Sequence, residues 1–174
     1  MLQMKLLQQL PDILTAPLSA MEISLAYIIG GTVRGTVNGI LVMLLGVVLI
    51  DMPVHQPVAT IGFIVMVSWS FASMGLVLGQ LSDSWDQLAM MQNFFLTPLS
   101  FLGGIFYSVN MLPDWAQTLS FFNPIYYMIN GIRFTILGVA DSPPMTSFTM
   151  ALIMTIFFSV SAIILMHSGK KIKQ

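Results

Sequence analysis

Ionisable residues are few and widely spaced in this chain, which narrows the chemistry open to them. Its 174 residues include six Lys or Arg, seven Asp or Glu, two His and no Cys. Intramembrane hydrolysis would need paired carboxylates, a His-Glu-x-x-His motif or a serine with a neighbouring histidine, and no long apolar segment holds such a set. A phosphate-binding glycine loop is also missing from the sequence. We therefore expect no catalytic site, no metal site and no cofactor in this chain.

Two arginines lie within apolar sequence and are the candidate functional cations. An arginine at the centre of a membrane helix costs roughly 2.5–3.5 kcal/mol on insertion scales. Arg34 either reaches the cytoplasmic headgroups or lines a polar cavity with Asn38, one helical turn further on. Arg133 either pairs with Asp114 or Asp141, or contacts lipid headgroups without a role in substrate binding.

The composition indicates that these arginines belong to a membrane protein. Hydrophobic residues make up 56% of the chain and charged residues 7%, against about 45–50% and about 25% in soluble domains. So few charges cannot cover the surface of a soluble domain, and the apolar excess must face lipid. Because the net charge is −1, nucleic acid is not an expected partner.

Long uncharged segments predict about four membrane-spanning helices, at residues 27–50, 58–80, 88–108 and 147–167. Each segment supplies about the 20 helical residues that cross ~30 Å of hydrocarbon. An open sheet would leave its edge groups unsatisfied in lipid, and these segments are too long and unbroken for barrel strands. The predicted fold class is all-α, a polytopic protein whose transmembrane domain covers residues 23–174.

Lysines predict the orientation of the helices. Lys170, Lys171 and Lys173 follow the last span, and Lys5 precedes the first. Cytoplasmic loops are enriched in Lys and Arg, and an even number of spans puts both ends on one side. We therefore expect both termini to be cytoplasmic.

The connection at residues 109–146 is too apolar for an ordinary exposed loop. Asn123 and Pro124 interrupt it, so one straight helix is disfavoured. We predict an extracytoplasmic pair of short helices, at about residues 112–138, that dips into the membrane and returns. The alternative is a fifth span, which would place the C-terminal lysines outside, against the positive-inside rule.

Small residues recur along the first span. Gly31, Gly35 and Gly39 are spaced by four, which lets another helix approach closely. This spacing predicts a packing seam within the subunit or between subunits, unless it only reflects the high glycine content of membrane helices. Just before the span, Ser19 and Glu22 have the spacing of a capping box. The segment at residues 1–22 would then lie on the membrane or dock a soluble partner.

Three motifs occur in a distinctive order along nearly the whole chain. The first is Leu-Thr-Ala-Pro-Leu-Ser at residues 14–19, and the second is Leu-Thr-Pro-Leu-Ser-Phe-Leu-Gly-Gly-Ile-Phe-Tyr at residues 96–107. The third is Phe-Asn-Pro-Ile-Tyr-Tyr-Met-Ile-Asn-Gly-Ile-Arg at residues 122–133, followed by Gly138. Together they resemble ABC-2 type transporter permeases of the bacterial multidrug and lipo-oligosaccharide exporter kind. The third motif resembles the family's signature between its fifth and sixth spans, with Asn123, Pro124, Arg133 and Gly138 at its marked positions.

The resemblance implies a transport subunit rather than an enzyme. It would export an amphiphilic drug, a lipid-linked compound or a polysaccharide from the cytoplasm of a bacterium, and it would lie in the inner membrane. Its implied partners are an ABC ATP-binding subunit that holds ATP and magnesium, a second permease copy in a homodimer, and membrane lipid. The coupling segment, residues 1–22, would contact the ATPase through Leu10, Asp12, Leu14, Pro17, Ser19 and Glu22. A membrane scaffold or assembly protein without transport is the alternative.

Members of that family usually carry six spans, and the four predicted here resemble the last four. We therefore expect a truncated or fragmentary permease sequence that lacks the first two spans. Such a chain is not expected to transport by itself.

Overall fold

A computed structural model describes residues 2–7 and 18–168, apart from the side chain of Lys5, and it confirms the all-α fold. None of these residues lies in a β-strand. The α-helices of this described part are α1 Leu2–Leu6, α2 Ala20–Ile50, α3 Pro57–Leu81, α4 Trp85–Met91, α5 Thr97–Leu102, α6 Asp114–Phe121, α7 Pro124–Leu137 and α8 Pro144–Ser168.

Three of these helices, α2, α3 and α8, are long and apolar enough to cross a membrane. Their 31, 25 and 25 residues correspond to roughly 46, 37 and 37 Å at about 1.5 Å per residue. Each length exceeds the ~30 Å of a hydrocarbon layer. The chain is therefore an α-helical protein embedded in a membrane.

The segment predicted as a span at residues 88–108 forms a helical run of three parts. The helix α4, a π-helical turn at Gln92–Leu96 and α5 follow one another without a break. The run begins at Trp85 and ends at Leu102, earlier than the predicted end, because the chain turns at Gly104 with a positive φ of 79°. This run rises ~27 Å, slightly less than the hydrocarbon thickness.

Pro98 explains the π-helical turn. Its ring would collide with the carbonyl four residues earlier, and it has no N–H to donate. A wider turn relieves that collision, and the Thr97 hydroxyl donates to the Gln92 carbonyl oxygen at 3.2 Å. The π-helical turn thus separates α4 from α5 within one continuous helical run.

The described ends of the chain lie on the same side of the helix assembly. Ile23, near the start of α2, packs with Met166, near the end of α8, and Met4 of α1 packs against this cluster. At the opposite side, the His55 backbone N–H donates to the Ile136 carbonyl oxygen at 2.8 Å. We call these the terminal side and the hairpin side. Which of them faces the cytoplasm stays a prediction.

The glycines of α2 lie directly against α3. A Cβ atom added to Gly31 would lie 2.8 Å from Ala72 Cβ, and one added to Gly35 would lie 2.9 Å from Ser68 Oγ. Gly39 makes a similarly close approach to α3. Close backbone contact increases dispersion attraction, which lipid-facing helices depend on because lipid is as apolar as they are. This glycine seam lies within the chain.

Polar side chains join α3 to α8 on the other flank of α3. The Trp69 indole N–H donates to the Ser159 hydroxyl at 2.9 Å, and the hydroxyls of Ser73 and Ser159 are 3.1 Å apart. Nearer the terminal side, the Gln80 amide donates to the Ala162 carbonyl oxygen at 3.3 Å. Interhelical hydrogen bonds of this kind average about 0.6 kcal/mol in membranes. The helix α3 is therefore held by close packing on one flank and by hydrogen bonds on the other.

Substituting a seam glycine tests the packing of α2 on α3. We expect Gly31→Ala to destabilise the protein by roughly 1–3 kcal/mol, because the new methyl group overpacks against Ala72. The matched control is Gly30→Ala, since no atom lies within 4 Å of a Cβ at Gly30. The control gains about 0.5–1 kcal/mol of helix propensity. Thermal unfolding in detergent compares the two, and equal melting temperatures would contradict the seam.

Candidate functional site: a polar cluster at the helix hairpin

The helices α6 and α7 form a helix hairpin, and both ends of this helix hairpin lie on the hairpin side of the helix assembly. The Ser120 hydroxyl, near the end of α6, donates to the Leu102 carbonyl oxygen at 2.9 Å. The Asn123 amide at the bend donates to the carbonyl oxygen of Leu99, deeper along α5. From Asn123, α7 runs back to the hairpin side, where the Ile136 carbonyl oxygen accepts from the His55 N–H in the loop before α3. With 8 and 14 residues, α6 and α7 are each shorter than the three long apolar helices, and their insertion into the membrane as a re-entrant pair stays a prediction.

Three residues of the third motif set the ends of α7. The Asn123 carbonyl oxygen Oδ1 accepts from the Ile125 N–H at 3.0 Å, which caps the helix. Pro124 occupies the first position of α7, where its missing N–H costs nothing. Gly138 ends α7 with a φ of 73°, a left-handed conformation that favours glycine.

Arg133, the last residue of the third motif, forms an ion pair with Asp141. Its Nη1 lies 2.8 Å from Asp141 Oδ2, and the two side chains are 19% and 7% exposed. Its Nη2 donates to the backbone carbonyl oxygens of Gly104 and Tyr107. Among the alternatives that the sequence left open, the structure selects Asp141, whereas Asp114 is exposed at the start of α6.

The Asp141 carboxylate accepts further hydrogen bonds from the segment that follows α5. Its two oxygens accept from the Ser108 hydroxyl at 2.6 Å and from the Val109 N–H at 3.0 Å. Together with the Arg133 guanidinium, these donors surround the carboxylate with charge-assisted bonds, which are stronger than neutral ones. One side chain thereby links α7, the segment before α8 and the segment after α5.

Asn130 completes this arrangement, and it was not among the residues singled out from the sequence. Its side chain is fully buried, and its oxygen accepts from the Asp141 N–H at 2.7 Å. Its amide donates to the hydroxyls of Ser147 at 2.8 Å and Ser142 at 3.0 Å. The available signal was its position three residues before Arg133, on the same helix face. We call Arg133, Asp141, Asn130, Ser108, Ser142 and Ser147 the polar cluster.

The chemistry that the polar cluster supports is positioning. Its charged groups are paired with each other or with backbone groups, which is how ionisable residues are accommodated in membranes. Within the described part of the chain, no three His, Cys, Asp or Glu residues lie together as a metal site would require. The cluster therefore fixes the helix hairpin to the end of α5 and to the start of α8.

The described residues of the predicted coupling segment lie on the terminal side, at the opposite end of α2. Ser19 and Glu22 form the capping box, with the Ser19 N–H donating to Glu22 Oε2 at 2.7 Å and the Glu22 N–H donating to Ser19 Oγ at 3.2 Å. Both side chains are exposed. Leu10, Asp12, Leu14 and Pro17 lie outside the described residues, as do the C-terminal lysines.

Arg34 is exposed on α2, and no carboxylate of the described residues lies within ion-pair distance of it. Asn38 is also exposed, and it borders an apolar groove. Arg34 is not among the residues that line this groove, and the polar cavity with Asn38 stays a prediction.

Removing the charge of Asp141 tests the polar cluster. We expect Asp141→Asn to destabilise the protein by on the order of 3 kcal/mol, because Arg133 is left without a counter-charge in a largely buried site. For a chain of this size, that loss lowers the melting temperature by roughly 6–12 °C. The matched control, Asp114→Asn, changes an exposed carboxylate at the start of α6 and should leave the melting temperature nearly unchanged.

A double substitution separates the ion pair from general damage. When Arg133→Gln is combined with Asp141→Asn, we expect a loss smaller than the sum of the two single losses. Additive losses would show that the two side chains act independently.

Comparisons with known proteins identify the family of this chain. The family described as ABC-2 type transporter matches residues 10–137. The inner membrane transport permease YadH of Escherichia coli strain K12 is 33% identical over 169 residues, which are 97% of this chain and 66% of YadH. Nodulation protein J of Rhizobium leguminosarum bv. viciae is 38% identical over 69 residues, 40% of this chain and 27% of that protein.

This chain thus spans slightly less than two thirds of the length of YadH. No solved structure matches it. The matched region of the family includes α2, α3 and the whole helix hairpin up to Leu137, where Asn123, Pro124 and Arg133 have the structural roles described above. Because that region covers most of the sequence, the chain belongs to the ABC-2 type transporter family.

Proposed function

We propose that this chain is the membrane-spanning permease portion of an ATP-driven exporter. The observation that carries the proposal is the similarity, over 97% of the chain, to a protein named an inner membrane transport permease. The exported compound would be an amphiphilic drug, a lipid-linked compound or a polysaccharide. A permease of this kind is not itself an enzyme, since ATP and magnesium would be bound by a separate ATP-binding subunit.

The geometry favours a division of labour between the two sides of the membrane. On the terminal side, α1 and the exposed capping box at Ser19 and Glu22 present the surface that would meet the ATP-binding subunit. On the hairpin side, the polar cluster holds a re-entrant pair that would line the exit of the pathway. The helix α3 contacts α2, α7 and α8, so a displacement of α2 by the ATP-binding subunit would reach the helix hairpin through α3.

The proposed assembly is a homodimer of permease copies with two ATP-binding subunits, in the bacterial inner membrane. Both ends of the chain would be cytoplasmic, with the hairpin side facing outwards. This orientation is supported by the lysine distribution and by the position of both described ends on one side of the assembly.

Charge substitution in the coupling segment tests the partnership with an ATPase. We expect Leu14→Glu to lower co-purification with the co-expressed ATP-binding subunit by roughly tenfold, the effect of losing about 1.4 kcal/mol of binding. Stimulation of ATP hydrolysis by the permease should fall in parallel. Met111→Glu is the control, because Met111 is equally apolar and 81% exposed on the hairpin side.

Transport in sealed vesicles separates the proposal from a scaffold or assembly protein. An exporter is expected to concentrate its substrate across the membrane only when ATP and the ATP-binding subunit are present. A permease that binds the ATP-binding subunit but produces no flux would favour the scaffold, and one that binds no ATPase would contradict the proposal.

Single cysteines test the orientation, since the chain has no native cysteine. In intact cells we expect a membrane-impermeant maleimide to label Gln56→Cys and Met111→Cys, both exposed on the hairpin side. Asp86→Cys and Ser168→Cys, exposed on the terminal side, should be labelled only after permeabilisation. The reverse pattern would overturn the proposed orientation without affecting the fold.

A further inference from the structure

Two grooves open beside α2, one towards each side of the helix assembly. The groove on the terminal side has a volume of about 310 Å³ and is lined by Tyr27 of α2 and by Ala72 and Gly79 of α3. The groove on the hairpin side has a volume of about 520 Å³ and is lined by Asn38 of α2 and Ile64 of α3. Both volumes lie within the ~300–1,000 Å³ range of small-molecule sites. We call them the terminal groove and the hairpin groove.

The two grooves fall on one line along α2, with a cation between them. Tyr27 in the terminal groove and Asn38 in the hairpin groove are eleven residues apart, which is close to three full helical turns. Arg34 comes seven residues after Tyr27 and four before Asn38, so the three side chains leave α2 on the same face. Between the grooves, Gly35 contacts Ser68 of α3. Arg34 therefore lies beside the place where α2 and α3 touch, between the ends of the two grooves.

The depth of Arg34 is the middle of the membrane and not a headgroup layer. Its neighbour Gly35 contacts Ser68, which is close to the centre of α3, Pro57–Leu81. Each surface of a ~30 Å hydrocarbon layer centred there is ~15 Å away, whereas an extended arginine side chain reaches roughly 7 Å. The guanidinium therefore does not reach the headgroup phosphates.

The described part of the chain brings no counter-charge to this depth. None of its carboxylates lies within ion-pair distance of Arg34, which is exposed. A second copy in the same orientation would carry its described carboxylates towards the two sides of the assembly, away from the centre of α3. The described acidic residues are Glu22, Asp51, Asp83, Asp86, Asp114 and Asp141. Because a charge inside a membrane faces a water-filled cavity or pairs with a partner, we expect an anion to reach Arg34 along the grooves.

We propose that Arg34 is the anion-binding point of a route along α2 for exported amphiphiles that carry a carboxylate or phosphate, an inference that rests on the proposed function. The terminal groove admits the amphiphile, and the Arg34 guanidinium binds its anionic group bidentately at mid-depth. Asn38, exposed one turn further on, donates an amide hydrogen to the same group. Beyond it the hairpin groove is lined by apolar side chains such as Val42, Met43 and Ile132. These walls add no second charge, so the anion is not retained on its way to the hairpin side.

Charge-selective labelling tests whether water and anions reach this face of α2. Asn38→Cys is introduced into the cysteine-free chain, co-expressed with the ATP-binding subunit in membrane vesicles. Its reaction rates with the anionic sulfonatoethyl and the cationic trimethylammonioethyl methanethiosulfonates are each divided by the rate with a free thiol. We expect the anionic reagent to be preferred. Adding Arg34→Gln should lower the rate ratio roughly tenfold, the combined effect on both reagents of one unit charge ~6 Å away in water.

Val33→Cys is the matched control for this labelling. Val33 is 58% exposed at nearly the same depth as Arg34, but on another face of α2. It should react with neither reagent. An unreactive Asn38→Cys would place the Arg34 face in lipid, and a rate ratio unchanged by Arg34→Gln would show that another group neutralises the arginine. Either result would overturn the proposal.

A matched pair of amphiphiles tests the class of ligand. The probes are dansylaminoundecanoic acid, used at pH 8 where it is anionic, and its primary amide, which has the same chain and no charge. We expect the purified full chain in a non-ionic detergent to bind the acid roughly fivefold more tightly than the amide, the preference that one basic residue confers. Arg34→Gln should abolish this preference, and Arg34→Lys should retain most of it. The acid should also slow the labelling of Asn38→Cys more than the amide does.

The outcomes separate this site from the proposed function. Equal binding of acid and amide, or a preference that survives Arg34→Gln, would overturn the anion site even if the chain binds the ATP-binding subunit and supports ATP-dependent flux. A chain that keeps the preference for the acid but binds no ATPase would instead contradict the proposed function.

Discussion

Polar groups in hydrocarbon must find partners within the protein, and the ion pair between Arg133 and Asp141 is where this constraint organises the chain. The two residues join the end of α7 to the segment before α8, while their remaining bonds reach the backbone after α5. Without that pair, a guanidinium and a carboxylate would be left largely buried and unpaired, each at a cost of several kcal/mol. The ion pair therefore holds the helix hairpin in position, because separating the two side chains would leave both charges unpaired.

The spanning helices associate by other interactions, because the hydrophobic effect does not drive apolar helices together in lipid. The helix α3 packs closely against α2 on one flank and forms hydrogen bonds with α8 on the other. Gly31 and Gly35 allow backbone contact with α2, and Ser73 and Ser159 with Trp69 supply hydrogen bonds to α8. The close packing depends on small side chains, because larger ones would separate the helices before dispersion became effective. The hydrogen bonds use the indole N–H of Trp69 and the hydroxyls of Ser73 and Ser159.

A permease needs a surface that receives a displacement and an exit that responds to it, and the proposed function assigns these to opposite ends of the same helices. The continuous helix α2 runs from the capping box at Ser19 to the loop beside the helix hairpin. The run from Trp85 to Leu102, by contrast, contains the π-helical turn at Gln92–Leu96.

The sequence by itself determined the all-α class, the apolar segments of α2, α3 and α8, the ends of α7 at Asn123 and Gly138, and the family. These features depend on composition, on segment length and on local backbone preferences, all of which act over a few consecutive residues. The tertiary structure alone decided that Asp141 and not Asp114 pairs with Arg133, and that Asn130 is buried beside them. It also decided that the glycine seam of α2 faces α3. These outcomes depend on which segments meet after folding: the turn after α7 brings Asp141 back to Arg133, and the residue that packs on Gly31 belongs to another helix.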